Sequence, residues 1–260
     1  MTMLRRILWG TIGFAAVWAT WEWGHAVLGP FVLPHPSEAV QTLFRLFVSG
    51  EVGTALRTTA AQSLAGWAVA CLAGITLALA ASMSERLRYA LRPVATGFLG
   101  IPPVAWLMLA FLWFGSSGLM SAFTVAITIF PVIFIAMLQG LDARDPALAE
   151  LARVYHASKT LTFTDIDLPQ LLDHLLPAAA TALGFAWKIC VMSEVMGSGT
   201  GIGGRLATAR AHLDLPETLA WIVLITMLVL ACDVVLVAPL RFWIARRREP
   251  LHAYELPRDA

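Results

Sequence analysis

Long apolar runs separated by short polar segments dominate this chain. Six runs reach the length of about 20 residues that a helix needs to cross a bilayer. They are residues 7–28, 58–82, 94–114, 119–141, 175–197 and 218–244. None alternates apolar and polar positions with a period of two, the pattern of a transmembrane β-strand. Because only helices and closed barrels satisfy their backbone groups in lipid, the pattern predicts an all-α polytopic membrane protein with six transmembrane helices.

The composition agrees with a membrane location. Hydrophobic residues make up 58% of the 260 residues and charged residues only 13%, against about 25% charged in ordinary soluble domains. The net charge is only +1, so the chain lacks the excess of positive charge typical of nucleic-acid-binding proteins, and no nucleic-acid partner is expected. Cys71, Cys190 and Cys232 are far apart within apolar runs. We interpret them as small core residues and expect no metal site.

The basic residues predict how the helices are oriented. If the N-terminus is cytoplasmic, thirteen of the eighteen Lys and Arg residues fall on the inside and four on the outside, with Lys188 inside a run. This asymmetry predicts that both termini are cytoplasmic. The first run has the basic start of a signal peptide, but it is long and no small-x-small cleavage site follows it. We therefore expect a retained first helix.

The runs and the segments between them predict four parts. These are an N-terminal transmembrane helix (1–28), an external segment (29–57), a core domain with five transmembrane helices (58–245) and a cytoplasmic tail (246–260). The core domain contains a long polar loop, residues 142–174, on the predicted cytoplasmic side.

This polar loop has the signals of a short helix followed by a turn. Asp142 or Asp145 can cap a helix in which Pro146 takes a first-turn position. Apolar residues at spacings of three and four then predict one apolar stripe, formed by Leu148, Leu151, Ala152 and Tyr155. A second short helix is predicted over 158–165. Pro169 and Pro177 bracket a turn of polar helix that leads into the fifth run.

The charge of the loop bears on what it contacts. It carries three basic and six acidic residues, which is a poor match for lying on the headgroups of an anionic leaflet. We therefore favour a cytoplasmic protein partner over membrane lipid as the contact of this loop.

The loop contains Glu150, Leu151 and Ala152, followed by the sequence IDLP at 166–169. With Leu151 in place of the first Ala, this stretch resembles the cytoplasmic loop of permease subunits of ATP-binding-cassette importers. That family has Glu-Ala-Ala, three residues, Gly, and then about nine residues to Ile-x-Leu-Pro. Here His156 occupies the glycine position, where a bend uses positive φ, and histidine is among the few other residues enriched there. The residues carried over as the ATPase-coupling loop are Glu150, Leu151, Ala152, His156, Ala157, Ile166, Leu168 and Pro169.

Three further stretches resemble the nitrate, sulfonate and taurine branch of this family. They are VLPHPSEAVQTL (32–43), IPPVAWLMLAFLWFG (101–115) and SEVMGSGTGIGGRL (193–206). The resemblance implies a type I importer permease fold in a bacterial inner membrane. It also implies a pathway formed by two copies of the chain, two separate ATPase subunits that bind ATP and Mg²⁺, and a solute-binding protein. The implied solute is small and anionic, and the chain itself is expected to be neither an enzyme nor a cofactor protein.

Glycines and prolines mark two further candidate sites. GTGIGG formally matches a dinucleotide-binding motif, but it follows a predicted membrane helix and not a strand. We predict a flexible turn into a short external helix at about 205–212, which closes the outer gate or contacts the binding protein. Its candidate residues are Gly199, Gly201, Gly203, Gly204 and Arg205. Pro102 and Pro103 interrupt the third run and fit either a pathway border or a kinked packing helix.

Charged residues within the runs need partners, because lipid does not solvate them. Lys188 and Asp233 share a predicted depth and can form an ion pair that fixes helix packing; alternatively, Lys188 faces the pathway and attracts an anionic solute. Glu194 is expected near the external surface and is a further pathway candidate. Glu22 is expected to pair with His25, three residues along the first helix.

A second function class stays open at this stage. A stand-alone secondary carrier or channel would also have several spans, and Lys188 and Asp233 would then form a proton relay. Such a carrier gives no reason for the polar loop, and the runs show no clear inverted repeat. The sequence contains no convergent nucleophile and base and no phosphate-binding loop, so we do not expect it to hydrolyse ATP.

Overall fold

The computed structural model describes residues 3–197, 200–232 and 234–235. This part of the chain contains helices and no strand. The helices are α1 (Met3–Leu28), α2 (Pro36–Val48), α3 (Glu51–Ser82), α4 (Glu85–Leu99), α5 (Pro103–Phe114), α6 (Gly118–Asp142), α7 (Pro146–Val154), α8 (Lys159–Thr162), α9 (Leu168–Met196), α10 (Gly201–Ala211) and α11 (Leu215–Cys232). A π-helical turn, Phe163–Asp167, joins α8 to α9.

The close pair of α3 and α6 forms the centre of the subunit. Small buried residues recur every three or four positions along α3, among them Gly66, Ala70 and Gly74. A Cβ atom added to Gly74 would lie 2.8 Å from the Cβ of Ile133, and one added to Gly66 would lie 2.6 Å from the carbonyl oxygen of Ala122. The two backbones therefore approach as closely as small residues allow, which is how membrane helices gain packing energy without a hydrophobic driving force.

Helix α9 lies against both members of this pair. At mid-height, Ala186 and Cys190 of α9 pack with Ala70 of α3 and Ile129 of α6. Towards the α7–α8 loop, Leu171 of α9 joins a second buried cluster formed with α3, α4 and α6. Burial of Cys190 and Cys232 agrees with their interpretation as core residues, whereas Cys71 is only half-buried.

The third predicted span is not one straight helix. It is the pair α4 and α5, bent by 95° at the break between Leu99 and Pro103. Pro102 and Pro103 lack the N–H groups that would continue the helix, so the break falls where the prolines predict it. The prolines did not predict the size of the bend, because the angle depends on packing against α6 and α9.

Four other helical stretches are long and apolar enough to cross a membrane. They comprise α3, α6, α9 with its flanking helices, and α11, so the described residues hold five spans if the bent pair counts as one. The first predicted span, α1, has 26 residues. That length suffices, but arginine, glutamate and four tryptophans make α1 less apolar than the other spans.

The external segment is mostly helical. Helix α2 packs against α11 through Leu43 and Leu46, and α3 begins at Glu51, seven residues before the predicted start of the second span. The predicted pairing of Glu22 with His25 is wrong: Glu22 Oε2 lies 3.1 Å from His35 Nε2. The chain reverses after α1 and brings His35 beside Glu22.

Three predictions fall on residues outside the described ranges. They are the pairing of Asp233 with Lys188, the role of Gly199, and the end of the sixth span together with the tail 246–260.

Candidate functional site

The polar loop begins with a capped helix, as the sequence predicts. The Asp145 carboxylate accepts a hydrogen bond of 2.8 Å from the backbone N–H of Ala147. Pro146 follows in the first turn, where its missing N–H has no helical partner to lose. Helix α7 then runs for nine residues to Val154.

His156 ends this helix in a left-handed conformation with φ of 51°, as its position in the motif predicts. The N–H of His156 donates to the carbonyl of Arg153, and the N–H of Ala157 donates to the carbonyl of Ala152 at 2.9 Å. This is the hydrogen-bond pattern of a Schellman C-cap, in which glycine is usual. The bend is therefore kept without glycine.

The second half of the loop differs from the prediction of a separate short helix. Ser158 caps α8 by accepting from the N–H of Leu161, but the chain then continues through the π-helical turn into α9 without leaving the helical conformation. Ile166 lies in the π-helical turn, and Leu168 and Pro169 lie in the first turn of α9. The fifth span thus extends into the loop.

Two contacts fasten α7 to the start of α9. The N–H of Asp145 donates to the Gln170 side-chain oxygen at 2.8 Å, and Arg144 lies 3.5 Å from the Asp167 carboxylate. At the end of α6, Asp142 also pairs with Arg88 of α4. The loop is therefore tied to three membrane helices.

The outer surface of α7 is apolar and open. Only Ala152 of the predicted apolar stripe is buried. Leu151 is 50% exposed and Tyr155 76% exposed, and Leu148 is also exposed. Glu150 is exposed beside them. A hollow of about 540 Å³ lies next to this surface, between α7 and α8, lined in part by His156 and Ala157. We call α7, its apolar residues and this hollow the loop surface.

At the opposite end of the subunit, Glu194 lies two residues before the end of α9, and its side chain is fully buried. Its Oε2 atom accepts hydrogen bonds from the Thr59 hydroxyl at 2.9 Å and from the N–H of Gly203 at 3.0 Å. The Thr59 hydroxyl in turn accepts from the N–H of Ile202 at 2.9 Å. Glu194 therefore satisfies the N-terminus of α10 and does not line an open pathway within the subunit.

Gly201, Gly203 and Gly204 belong to a helix and not to a flexible turn, which corrects the prediction for these three residues. Helix α10 begins at Gly201, four residues before the predicted start at Arg205, and its first turn is buried. Gly201 has φ of 75°, and a Cβ atom on it would meet the Glu194 carboxylate. A Cβ atom on Gly203 would lie 2.8 Å from the Cβ of Glu194. Arg205 pairs with Glu51 at 3.3 Å.

Thr59, which was not predicted as a site residue, bridges α3, α9 and α10. The only sequence signal for this bridging role is that Thr59 is a polar residue eight positions into a predominantly apolar helix. Gly204 is buried in the same turn of α10.

Lys188 lies on the exposed side of α9, eight residues before its end, and its Nζ atom is 5.6 Å from the centre of the Phe185 ring. Pro103 lies near the same side, across the bend between α4 and α5. Among the described residues, no group of three His, Cys, Asp or Glu side chains converges as a metal site.

Comparison with known proteins gives a consistent result. The chain is 28% identical over 212 residues to a putative aliphatic sulfonates transport permease protein, SsuC, of Bacillus subtilis, covering 81% of this chain and 77% of that protein. It is 25% identical over 250 residues to the taurine transport system permease protein TauC of Escherichia coli, covering 93% and 89%.

Among solved structures, the crystal structure of an amino acid ABC transporter with histidines matches with a TM-score of 0.62 at 18% identity, covering 78% of this chain and 97% of that one. This likeness concerns the fold alone. Residues 70–249 match one protein family directly, and the chain belongs to that family, the inner membrane components of binding-protein-dependent transport systems.

Proposed function

We propose that this chain, the membrane subunit of an ATP-binding-cassette importer, carries a small anionic solute and is driven through the loop surface by a separate ATPase. Two copies form the pathway, with both termini and the loop surface on the cytoplasmic side. Two ATPase subunits bind ATP and Mg²⁺, and an external binding protein delivers the solute.

The observation that carries the proposal is the combination of a fastened loop with an open apolar surface. Leu151 and Tyr155 are exposed on α7, while Asp145 and Arg144 tie α7 to the start of α9. A partner that grips the apolar residues therefore moves α9 as well. A helix that lay on lipid headgroups would not need these contacts with the start of α9.

The continuity of α8 and α9 supports transmission of such a movement. The chain is helical from Lys159 to Met196, which at 1.5 Å per residue is roughly 57 Å. At the far end, Glu194 of α9 holds α10 through Gly203. Movement at the loop surface would therefore displace the opposite end of the subunit, as alternating access by rigid-body movement requires.

The solute class is supported by the relatives. SsuC is named for aliphatic sulfonates and TauC for taurine, and both solutes contain a sulfonate group. The orientation is supported by the basic residues around the loop end of the helices, including Arg86, Arg88, Arg92, Arg144 and Arg153.

Co-purification tests the docking role of the loop surface. The tagged chain is extracted in mild detergent from its native membrane, and the ATPase bound per permease is quantified. Leu151→Glu should reduce the bound ATPase at least tenfold, because it places a charge in an apolar contact. Met83→Glu is the matched control, since Met83 is also highly exposed and lies between α3 and α4 at the same end of the subunit.

Two results would contradict the proposal. One is an equal amount of ATPase with the Leu151 and Met83 variants. The other is a stable wild-type preparation that contains no ATPase and still transports solute, which would favour a stand-alone carrier.

A further inference from the structure

One side of α9 presents a cation at membrane depth. Lys188 is eight residues from the end of α9 at Met196, roughly 12 Å along the helix axis. Thr181, Phe185 and Lys188 follow one another at spacings of four and three, so they share a side of α9. Phe185 and Lys188 are exposed, whereas their neighbours Ala186 and Trp187 are buried.

Lipid is an unfavourable environment for this side of the helix. No carboxylate of the described residues forms an ion pair with Lys188, whose Nζ atom lies 5.6 Å from the centre of the Phe185 ring. An ammonium group facing hydrocarbon is costly, so charged residues at this depth face a protein interior or a water-filled space. With the proposed function, in which two copies form the pathway, the exposed side of α9 is the side that faces this pathway.

A hollow of about 250 Å³ is lined by Phe185, the neighbour of Lys188 on this side of α9. It lies between the bend of α4 and α5 on one side and helices α6 and α9 on the other. Its walls are mainly apolar and include Phe98, Ile101, Ile129 and Phe185. Since a water molecule occupies about 30 Å³ in the liquid, the hollow has room for an alkyl chain of several carbons.

Phe185 connects the hollow with the cation, because its ring both lines the hollow and lies beside the Lys188 ammonium group. A ligand that fits both parts has an anionic head and an apolar tail. We infer that Lys188 and this hollow form a pathway site for an alkanesulfonate, with the sulfonate at Lys188 and the alkyl chain among Phe98, Ile101 and Phe185.

Other small anions fit this combination of cation and apolar hollow less well. Nitrate has no apolar tail to fill the hollow. Taurine carries an ammonium group two carbons from its sulfonate, which would have to enter an apolar space without an acidic partner among the described lining residues. The site therefore narrows the solute class, and it rests on the proposed function as an importer of small anions.

Binding measured without the binding protein tests the site directly. The complex of the permease with its ATPase is placed in nanodiscs and titrated with butanesulfonate by calorimetry. Lys188→Met should weaken binding at least tenfold, Lys188→Arg should retain most of it, and Phe185→Ala should weaken butanesulfonate more than methanesulfonate. Arg210→Met is the matched control, because Arg210 is an exposed cation on α10, away from the hollow.

The inference is overturned if the wild-type complex does not bind butanesulfonate, if Lys188→Met binds it as tightly as wild type, or if taurine and nitrate bind more tightly. It is also overturned if Lys188→Met lowers thermal stability and an exchange of the charges of Lys188 and Asp233 restores it, since Lys188 would then be a structural ion-pair partner. ATP-driven uptake of any small anion, measured separately with the binding protein, keeps the proposed function intact in each case.

Discussion

Replacing Thr59 with valine removes one hydroxyl group from the junction of α3, α9 and α10. This hydroxyl donates to Glu194 and accepts from the N–H of Ile202, both at 2.9 Å. Valine has nearly the same shape, so the fully buried position keeps its packing. The variant leaves a buried N–H without its acceptor and a buried carboxylate with one donor fewer.

The expected loss of stability follows from these two contacts. A hydrogen bond to a charged group contributes about 1.5–3 kcal/mol, and an orphaned buried polar group costs about 1–3 kcal/mol. Because Glu194 keeps its bond from Gly203, we expect a combined loss of about 2–5 kcal/mol. At roughly 2–4 °C per kcal/mol for a chain of this size, the melting midpoint should fall by about 4–20 °C.

The chain offers a matched control in Thr124, which is equally buried. Its hydroxyl donates only to the carbonyl of Met120, one turn earlier in its own helix. Thr124→Val should therefore cost less than about 1 kcal/mol, and Thr59→Ser, which keeps the hydroxyl, should restore most of the loss. Thermal unfolding of the purified protein, followed by the fluorescence of its ten tryptophans, measures all three. Equal midpoints for the Thr59 and Thr124 valine variants would refute the reasoning.

Other substitutions test the remaining parts of the fold. Gly74→Ala should destabilise the protein by about 1–3 kcal/mol in thermal unfolding, because the added carbon overlaps α6. Gly53→Ala, which adds the carbon in open space on the same helix, should stabilise it by up to about 1 kcal/mol. Equal effects of the two substitutions would contradict the close approach of α3 and α6. His156→Gly should keep the bound ATPase in co-purification, and His156→Val should lose part of it, because φ of 51° suits glycine and strains valine. More bound ATPase with the valine variant than with the glycine variant would exclude a left-handed bend. Arg205→Ala should lower the free energy of unfolding by less than about 1 kcal/mol, because the salt bridge of Arg205 to Glu51 is half-exposed. A larger loss in thermal unfolding would mean that this salt bridge anchors α10.

The features that the sequence predicted are those set by neighbouring residues. The cap at Asp145, the left-handed His156 and the break before Pro103 each depend on a few consecutive side chains. The apolar runs also located α3, α6, α9 and α11, although α3 begins earlier than its apolar residues indicate.

The features that it did not predict depend on residues distant in the chain. The burial of Glu194 was not predicted, because it depends on a hydrogen bond from Thr59, which is 135 residues away. The glycines of α10 suggested a flexible turn, whereas they allow close approach to Glu194. Glu22 pairs with His35 and not with its helical neighbour, because the chain folds back after α1.

Uptake of labelled butanesulfonate into proteoliposomes tests the central claim most directly. The permease is reconstituted with and without its ATPase, with the binding protein outside and ATP inside. We predict that uptake requires both partner proteins and ATP. Leu151→Glu should abolish this uptake, and Met83→Glu should retain it. Uptake driven by an ion gradient without the ATPase, and unchanged by Leu151→Glu, would contradict it and identify a stand-alone carrier.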